Sequence, residues 1–315
     1  MRSISRRLTI CAISALSLLA ACGPLANARA DRIDARFPPQ GQFLQVGRAV
    51  IHAEVSGQGP DLILIHGASG NTRDMAALAA RLSDRYRVIR FDRPGLGYST
   101  APDATFNSPL IQADYLRAAS QQLGVTHPIV LGHSYGGAVA MAWALEAPET
   151  RAVVLLSAAV LPWEGGLSDL YTAAATPVGE ATLEPLASAF LPDWALDRIV
   201  TDLFKPQTPP VGYANEIGAA LAIRPDTLRN NLRQLKRLKP HLYLMAPKYQ
   251  DLTLPIEMVH GVDDPVVSYK VQAVPMAQNL PNVHLTSLPG IGHMGHHVAQ
   301  DAVIAAIDRA AARSD

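Results

Sequence analysis

Strands alternating with helices predict an α/β fold, a mostly parallel central sheet flanked by helices. Three observations carry this. The runs 62–65, 129–131 and 153–156 are short and almost wholly apolar, as strands buried on both faces must be. Helical patterns at 75–82, 110–123 and 138–145 fall between strand-like runs, the spacing of βαβ units. Composition agrees: hydrophobic residues make up 49% of the 315 and charged residues 17%, which excludes a disordered chain. Lys+Arg and Asp+Glu balance at 27 each, so no net basic charge draws the chain to nucleic acid. With 22 Gly and 24 Pro in no fixed repeat, collagen and coiled coil are excluded as well.

The N-terminus reads as an address. Arg2, Arg6 and Arg7 precede an uncharged apolar run ending at Cys22, too short for a comfortable membrane span of about 20 residues. A basic start, a short apolar stretch and small residues describe a secretory signal peptide over 1–21. Leu19-Ala20-Ala21-Cys22 resembles the bacterial lipoprotein box, in which Cys22 is lipidated and becomes the first mature residue. Ala26-Asn27-Ala28 offers a competing cut, of the ordinary signal-peptidase pattern, after Ala28 or Ala30. The expectation is an exported chain, lipid-anchored in the cell envelope through Cys22, or soluble if the later cut is used. Both cysteines, Cys11 and Cys22, belong to this region, so the folded domain has no thiol nucleophile, disulfide or thiolate metal site.

Residues 22–42 then read as a linker. The stretch 49–55 mixes polar and apolar residues like an early edge strand, and strand-like runs follow at 62–65, 87–91, 129–131 and 153–156. The alternation breaks at Leu161-Pro162. From 161 to 250 the chain is helical and proline-punctuated, a cap too long to be a loop. Within it Leu228, Leu232, Leu235 and Leu238 form one amphipathic stripe, with Pro225 where a helix starts and Pro240 where it should stop. Strand character resumes at 256–259 and 283–288, and 302–312 reads as a closing helix. The expected organisation is a core of 43–160 and 251–315 interrupted by the cap.

Four motifs point to one chemistry. Gly132-His133-Ser134-Tyr135-Gly136 is G-x-S-x-G between a strand and a helix, a turn so sharp that Ser134 is thrust out at the sheet end. A serine hydroxyl needs a base, and His293, in the glycine-bearing loop Gly290-Ile291-Gly292-His293, is the candidate. His296 and His297 compete with it from what reads as the next helix; their adjacency makes a metal cluster with His293 awkward. The base needs a carboxylate, and Asp264 is favoured over Asp263, which reads as a turn-capping residue. Oxyanion donors would be the Tyr135 amide and the Ala68 amide, the latter in His66-Gly67-Ala68, where His66 shapes the loop.

On these residues the chain resembles the α/β-hydrolase superfamily, over roughly 43–160 and 251–313, with 161–250 corresponding to the family's variable cap. Asp92-Arg93-Pro94-Gly95-Leu96-Gly97-Tyr98-Ser99 is similar to the family's D-x-x-G-x-G-x-S loop. The resemblance implies the order Ser, acid, His, no organic cofactor and no metal. Ser134 stands where epoxide hydrolases and haloalkane dehalogenases of the superfamily carry an aspartate, which argues against both activities. The expected function is a serine carboxylesterase acting on small to medium apolar esters. Lactonase, amidase or aminopeptidase-like and carbon–carbon bond hydrolase activities use the same triad and stay open. A non-catalytic ligand-binding envelope lipoprotein is the rival of another class. Trp163, Tyr171, Phe190 and Trp194 of the cap are expected to roof Ser134, and Arg229, Arg233, Lys236, Arg237 and Lys239 to form a solvated basic face.

Overall fold

The computed structural model describes residues 22–314 except 168. The signal-peptide reading of 1–21 lies outside the described residues. Residues 22–36 form a helix, α1, and not the expected linker. The reason is burial: Ala26, Ile33 and Phe37 lie at one-face spacing, and Ile33 and Phe37 pack on Leu196, Leu221 and Ile223, far along the chain.

Eight strands then build one sheet in the order β1-β2-β4-β3-β5-β6-β7-β8. They are β1 (Gln42–Val46), β2 (Ala49–Ser56), β3 (Asp61–Ile65), β4 (Arg87–Phe91), β5 (Ile129–His133), β6 (Ala152–Leu156), β7 (Ile256–Gly261) and β8 (Val283–Leu288). β1–β2 and β2–β4 are antiparallel and every later pairing is parallel. The edge expected at 49–55 falls instead on β1, an alternating strand with Leu44 inward that composition alone does not reveal. β5 and β6 are buried at every position, which is why they read as unbroken apolar runs.

Helices cover both faces. α2 (Ala76–Leu82) follows β3, α3 (Pro109–Gln122) follows β4, and α4 (Tyr135–Glu146) follows β5. Between β6 and β7, where the cap is expected, the chain forms α5 (Asp169–Ala174), α6 (Pro177–Phe190), α7 (Asp193–Phe204), α8 (Tyr213–Glu216) and α9 (Pro225–Met245). Then come α10 (Tyr269–Asn279), the short α11 (Gly295–Val298) and α12 (Gln300–Arg313). α3, α4 and the C-terminal half of α9 contribute to one core layer, α2 and α12 to the other.

α9 departs from its expected form twice. It runs through Pro240 to Met245. An interior proline costs about 3 kcal/mol, and here Leu242 and Met245, both buried in the main core, offset that cost. Of the leucine stripe, Leu232 and Leu238 are buried and Leu228 and Leu235 partly so, and the buried stripe also takes in Thr227, Asn231, Gln234, Leu242 and Met245. The polar first half of that stripe faces the loops described next.

Candidate active site

β5 ends in a turn that forces Ser134 to φ 53 and ψ −120, a left-handed conformation costly for a side-chain-bearing residue. The turn closes only because its neighbours are glycines. A Cβ on Gly132 would lie 2.2 Å from the Gly136 carbonyl oxygen, and one on Gly136 would lie 2.4 Å from that of Ile65. Three backbone bonds hold the strained residue: Ser134 N–H donates to the Leu156 carbonyl, while the Ser134 carbonyl accepts from Gly137 and Ala159.

The loops after β7 and β8 bring Asp264 and His293 together. His293 Nδ1 lies 2.8 Å from Asp264 Oδ2, with both side chains buried. The other Asp264 oxygen accepts the Val266 and Val267 amides. Burial works to raise the Asp264 pKa, but hydrogen bonds from His260 and His293 outweigh it and hold the carboxyl well below the usual range. Asp263 is exposed and accepts the Gly290 amide, a turn-capping role. The His293 ring sits 4.8 Å from that of His133, the residue before Ser134, so this pair adjoins the β5 turn.

The third group is the loop after β3. Gly67 presses on the turn so closely that a Cβ there would stand 3.1 Å from the Ser134 Cβ. Among the described hydrogen bonds none engages the Ala68 or the Tyr135 amide, leaving both donors open beside Ser134. His66 is fully buried; its Nε2 accepts the Arg93 amide and its Nδ1 donates to the Gly67 carbonyl. Burial first, then the charge of Arg93, lowers its pKa to about 4, so it is neutral with a fixed tautomer.

Arg93 is the residue that sequence reasoning passed over. Its guanidinium is fully buried and donates to the His66 and Gly67 carbonyls, to Gln112 and to Gln234. It also lies 4.2 Å over the Tyr135 ring, and burial lowers its pKa to about 10. One cation thus fixes the Ala68 loop, the Tyr135 side chain and α9. Asn231 of α9 adds a second grip, accepting the Ser69 amide and donating to the Ser69 hydroxyl. The only prior signal was a basic residue inside the 92–99 loop.

Behind the turn, Asp74 Oδ1 accepts from Tyr213 at 2.7 Å and lies 3.2 and 3.3 Å from Nε2 of His296 and His297. Both histidines are thus engaged with Asp74, whereas His293 meets Asp264. Among the described residues the set able to approach a metal is Asp74, His133 and His296, with ligand atoms within 4.8 Å of one another. Burial lowers the His296 pKa to about 4 and holds that of His133 well below its ordinary value, so neutral imidazoles surround the Asp74 carboxylate, whose own pKa the hydrogen-bonding histidines keep low against its burial. Of the aromatics expected in the roof, Phe190 is 52% and Trp194 72% exposed, and Tyr171 is also exposed, whereas Trp163 packs against the main core. The basic residues of α9 are engaged as well. Arg229 and Arg233 pair with Glu184 and Glu180 of α6, while Lys236 and Lys239 donate to the carbonyls of Ala175 and Gly165.

A strand–turn–helix elbow, a buried Asp–His pair and two open amides at the carboxyl ends of parallel strands define a class of α/β proteins with the parts for nucleophilic hydrolysis. Residues 60–300 match the alpha/beta hydrolase fold family, and the chain belongs to it. It is 30% identical over 246 residues to the magnesium-chelatase 30 kDa subunit of Rhodobacter capsulatus, covering 77% of this chain and 84% of that protein. It is 28% identical to the pimeloyl-[acyl-carrier protein] methyl ester esterase of Nitrosomonas europaea, covering 78% and 93%. In structure it is similar to an esterase from Rhodococcus sp. ECU1013, with TM-score 0.65, 22% identity and coverage of 86% and 98%. Several relatives are hydrolases, among them a 2-(acetamidomethylene)succinate hydrolase and a 2-hydroxy-6-oxo-6-phenylhexa-2,4-dienoate hydrolase, and hydrolase activity is supported for this chain.

Proposed function

We propose that the protein is a serine carboxylesterase acting on small to medium apolar esters. The observation that carries this is the buried Asp264–His293 contact of 2.8 Å beside the strained Ser134 turn. Ser134 Oγ attacks the ester carbonyl and passes its proton to His293 Nε2, whose Nδ1–H donates to Asp264. Charge on the carbonyl oxygen is met by the Ala68 and Tyr135 amides, held in place through Arg93. His293 then protonates the departing alkoxide, and water, deprotonated by the same imidazole, releases the acid from Ser134. No metal or organic cofactor enters this sequence. The esterase named among the relatives supports the ester reading. The 2-hydroxy-6-oxo-6-phenylhexa-2,4-dienoate hydrolase supports carbon–carbon bond hydrolysis on the same triad, and an enol-lactonase of the same fold leaves lactone hydrolysis open. The basic-apolar sequence before Cys22 supports export and a lipid anchor in the cell envelope.

The test is hydrolysis of p-nitrophenyl esters of increasing acyl length, with fluorophosphonate labelling of the same samples. Turnover and labelling are expected in the parent protein, and Ser134→Ala should lose both, with a fall in kcat of roughly 10⁴-fold or more. Full activity in Ser134→Ala sinks the assignment. Absence of turnover and labelling in the folded parent favours a non-catalytic lipoprotein.

A further inference from the structure

α6 is an amphipathic helix turned inside out. Its most buried side chains include Glu184 and Ser188, each 1% exposed, whereas Val178, Leu183 and Phe190 stand 72%, 38% and 52% exposed. Val178, Thr182, Leu186 and Phe190 recur every four residues, so they share one stripe on the side away from Glu184. α7 continues the outward face with Trp194 and Ile199, while its Leu196, Val200 and Phe204 are buried. Large exposed apolar side chains on two successive helices, interrupted on α7 by the exposed Asp197 and Arg198, call for an apolar partner.

The chain's own N-terminus says which. Arg29 of α1 donates to the Ser188 carbonyl and pairs with Asp193, and so clasps the junction between Phe190 and Trp194. Cys22 lies only seven residues earlier, about 10 Å along the helix. The segment ending at Cys22 carries the basic start and apolar run of a membrane-directed leader. A bilayer tether therefore emerges next to the apolar stripe. Charge narrows the partner further. Across 161–204 the one basic residue is Arg198, against seven acids, of which Glu180 and Glu184 are paired internally. Attraction to anionic headgroups is not available, so contact must come from apolar insertion.

We infer that the outward face of α6 and α7 lies in the interfacial region of a lipid bilayer. The tether rests on the envelope-anchored reading above; the face does not, and the two are separable by experiment. The full chain is reconstituted in phosphatidylcholine vesicles with and without brominated acyl chains. Flotation with the vesicles reports the tether, and quenching of tryptophan fluorescence reports the face. Trp143 is buried and Trp163 packs against the core, so Trp194 is the tryptophan the quencher reaches.

Bromine should quench at least a third of the emission, and Trp194→Phe should abolish that fraction. Val178→Gln with Leu183→Gln should weaken the quenching several-fold while turnover of a water-soluble ester stays unchanged, separating the face from folding and catalysis. Added phosphatidylglycerol should not strengthen it. Absence of bromine quenching overturns the inference, whether or not the chain floats. Emission that is blue-shifted with protein concentration but not quenched overturns it in favour of a second copy of the chain.

Discussion

The sheet and the insertion between β6 and β7 differ in how much polar side chain they bury beside the apolar. β3, β5 and β6 place almost nothing but aliphatic residues in the core. The insertion buries Glu184, Ser188, Asn231 and Gln234 alongside apolar residues such as Leu196, Val200 and Phe204, and leaves Val178, Phe190 and Trp194 outside. Aliphatic burial is strong and non-directional, suited to holding a platform together. Hydrogen bonds and ion pairs add less stability but fix distance and angle. The insertion thus contributes position: Gln234 meets Arg93 and Asn231 meets Ser69, tying α9 to the loop that carries the Ala68 amide.

The comparison can be broken most forcefully at the platform's site end. Asp264→Asn should lower kcat about 10⁴-fold by disturbing the His293 tautomer, while Asp263→Asn stays within a few-fold; steady-state kinetics of the pair decides, and the reverse order would move the acid by one residue. Acid should loosen the platform next. His66 binds fewer protons folded than unfolded between its ordinary value of 6.5 and its folded value of about 4. Its stabilising contribution is therefore complete above 6.5 and falls away toward 4, by on the order of 3 kcal/mol. Urea unfolding across that range measures this, and His66→Gln should flatten the slope.

Arg93→Met separates position from chemistry. Removing its donors leaves the His66 and Gly67 carbonyls and two glutamines without their partner, and kcat should fall roughly 10²-fold, approaching the loss of one oxyanion donor. KM should change little, and Arg93→Lys should recover only part of the rate, since an ammonium cannot span the same acceptors. Within the insertion, Arg233→Ala should cost less than about 1 kcal/mol in chemical denaturation, because the pair with Glu180 is part-exposed. A loss several times larger would mean that the insertion, too, depends on its ion pairs as a platform depends on its core.

How much was legible followed the same division. Aliphatic burial prints itself on a sequence, so β3, β5 and β6 fall where the apolar runs 62–65, 129–131 and 153–156 do, and the glycines around Ser134 announce the turn. Polar burial leaves no periodic trace. Asn231 and Gln234 look like ordinary surface residues of a helix, and Arg93 like part of a loop signature, until partners up to 162 residues away are in place. α1 was hidden for another reason: its apolar positions are few, and they pack on residues of the insertion. Pro240 misled because local propensity gives way when the residues beyond it are buried.

The strand order also sets a timetable. Ser134 and the Ala68 loop belong to strands in the middle of the sheet, made in the first half of synthesis. Asp264 and His293 follow β7 and β8, the outermost parallel strands and the last to be made. On the proposed assignment a nascent or truncated chain carries a positioned serine with nothing to deprotonate it. Hydrolysis would begin only after the final strand has docked, so a chain still leaving the ribosome is a silent one.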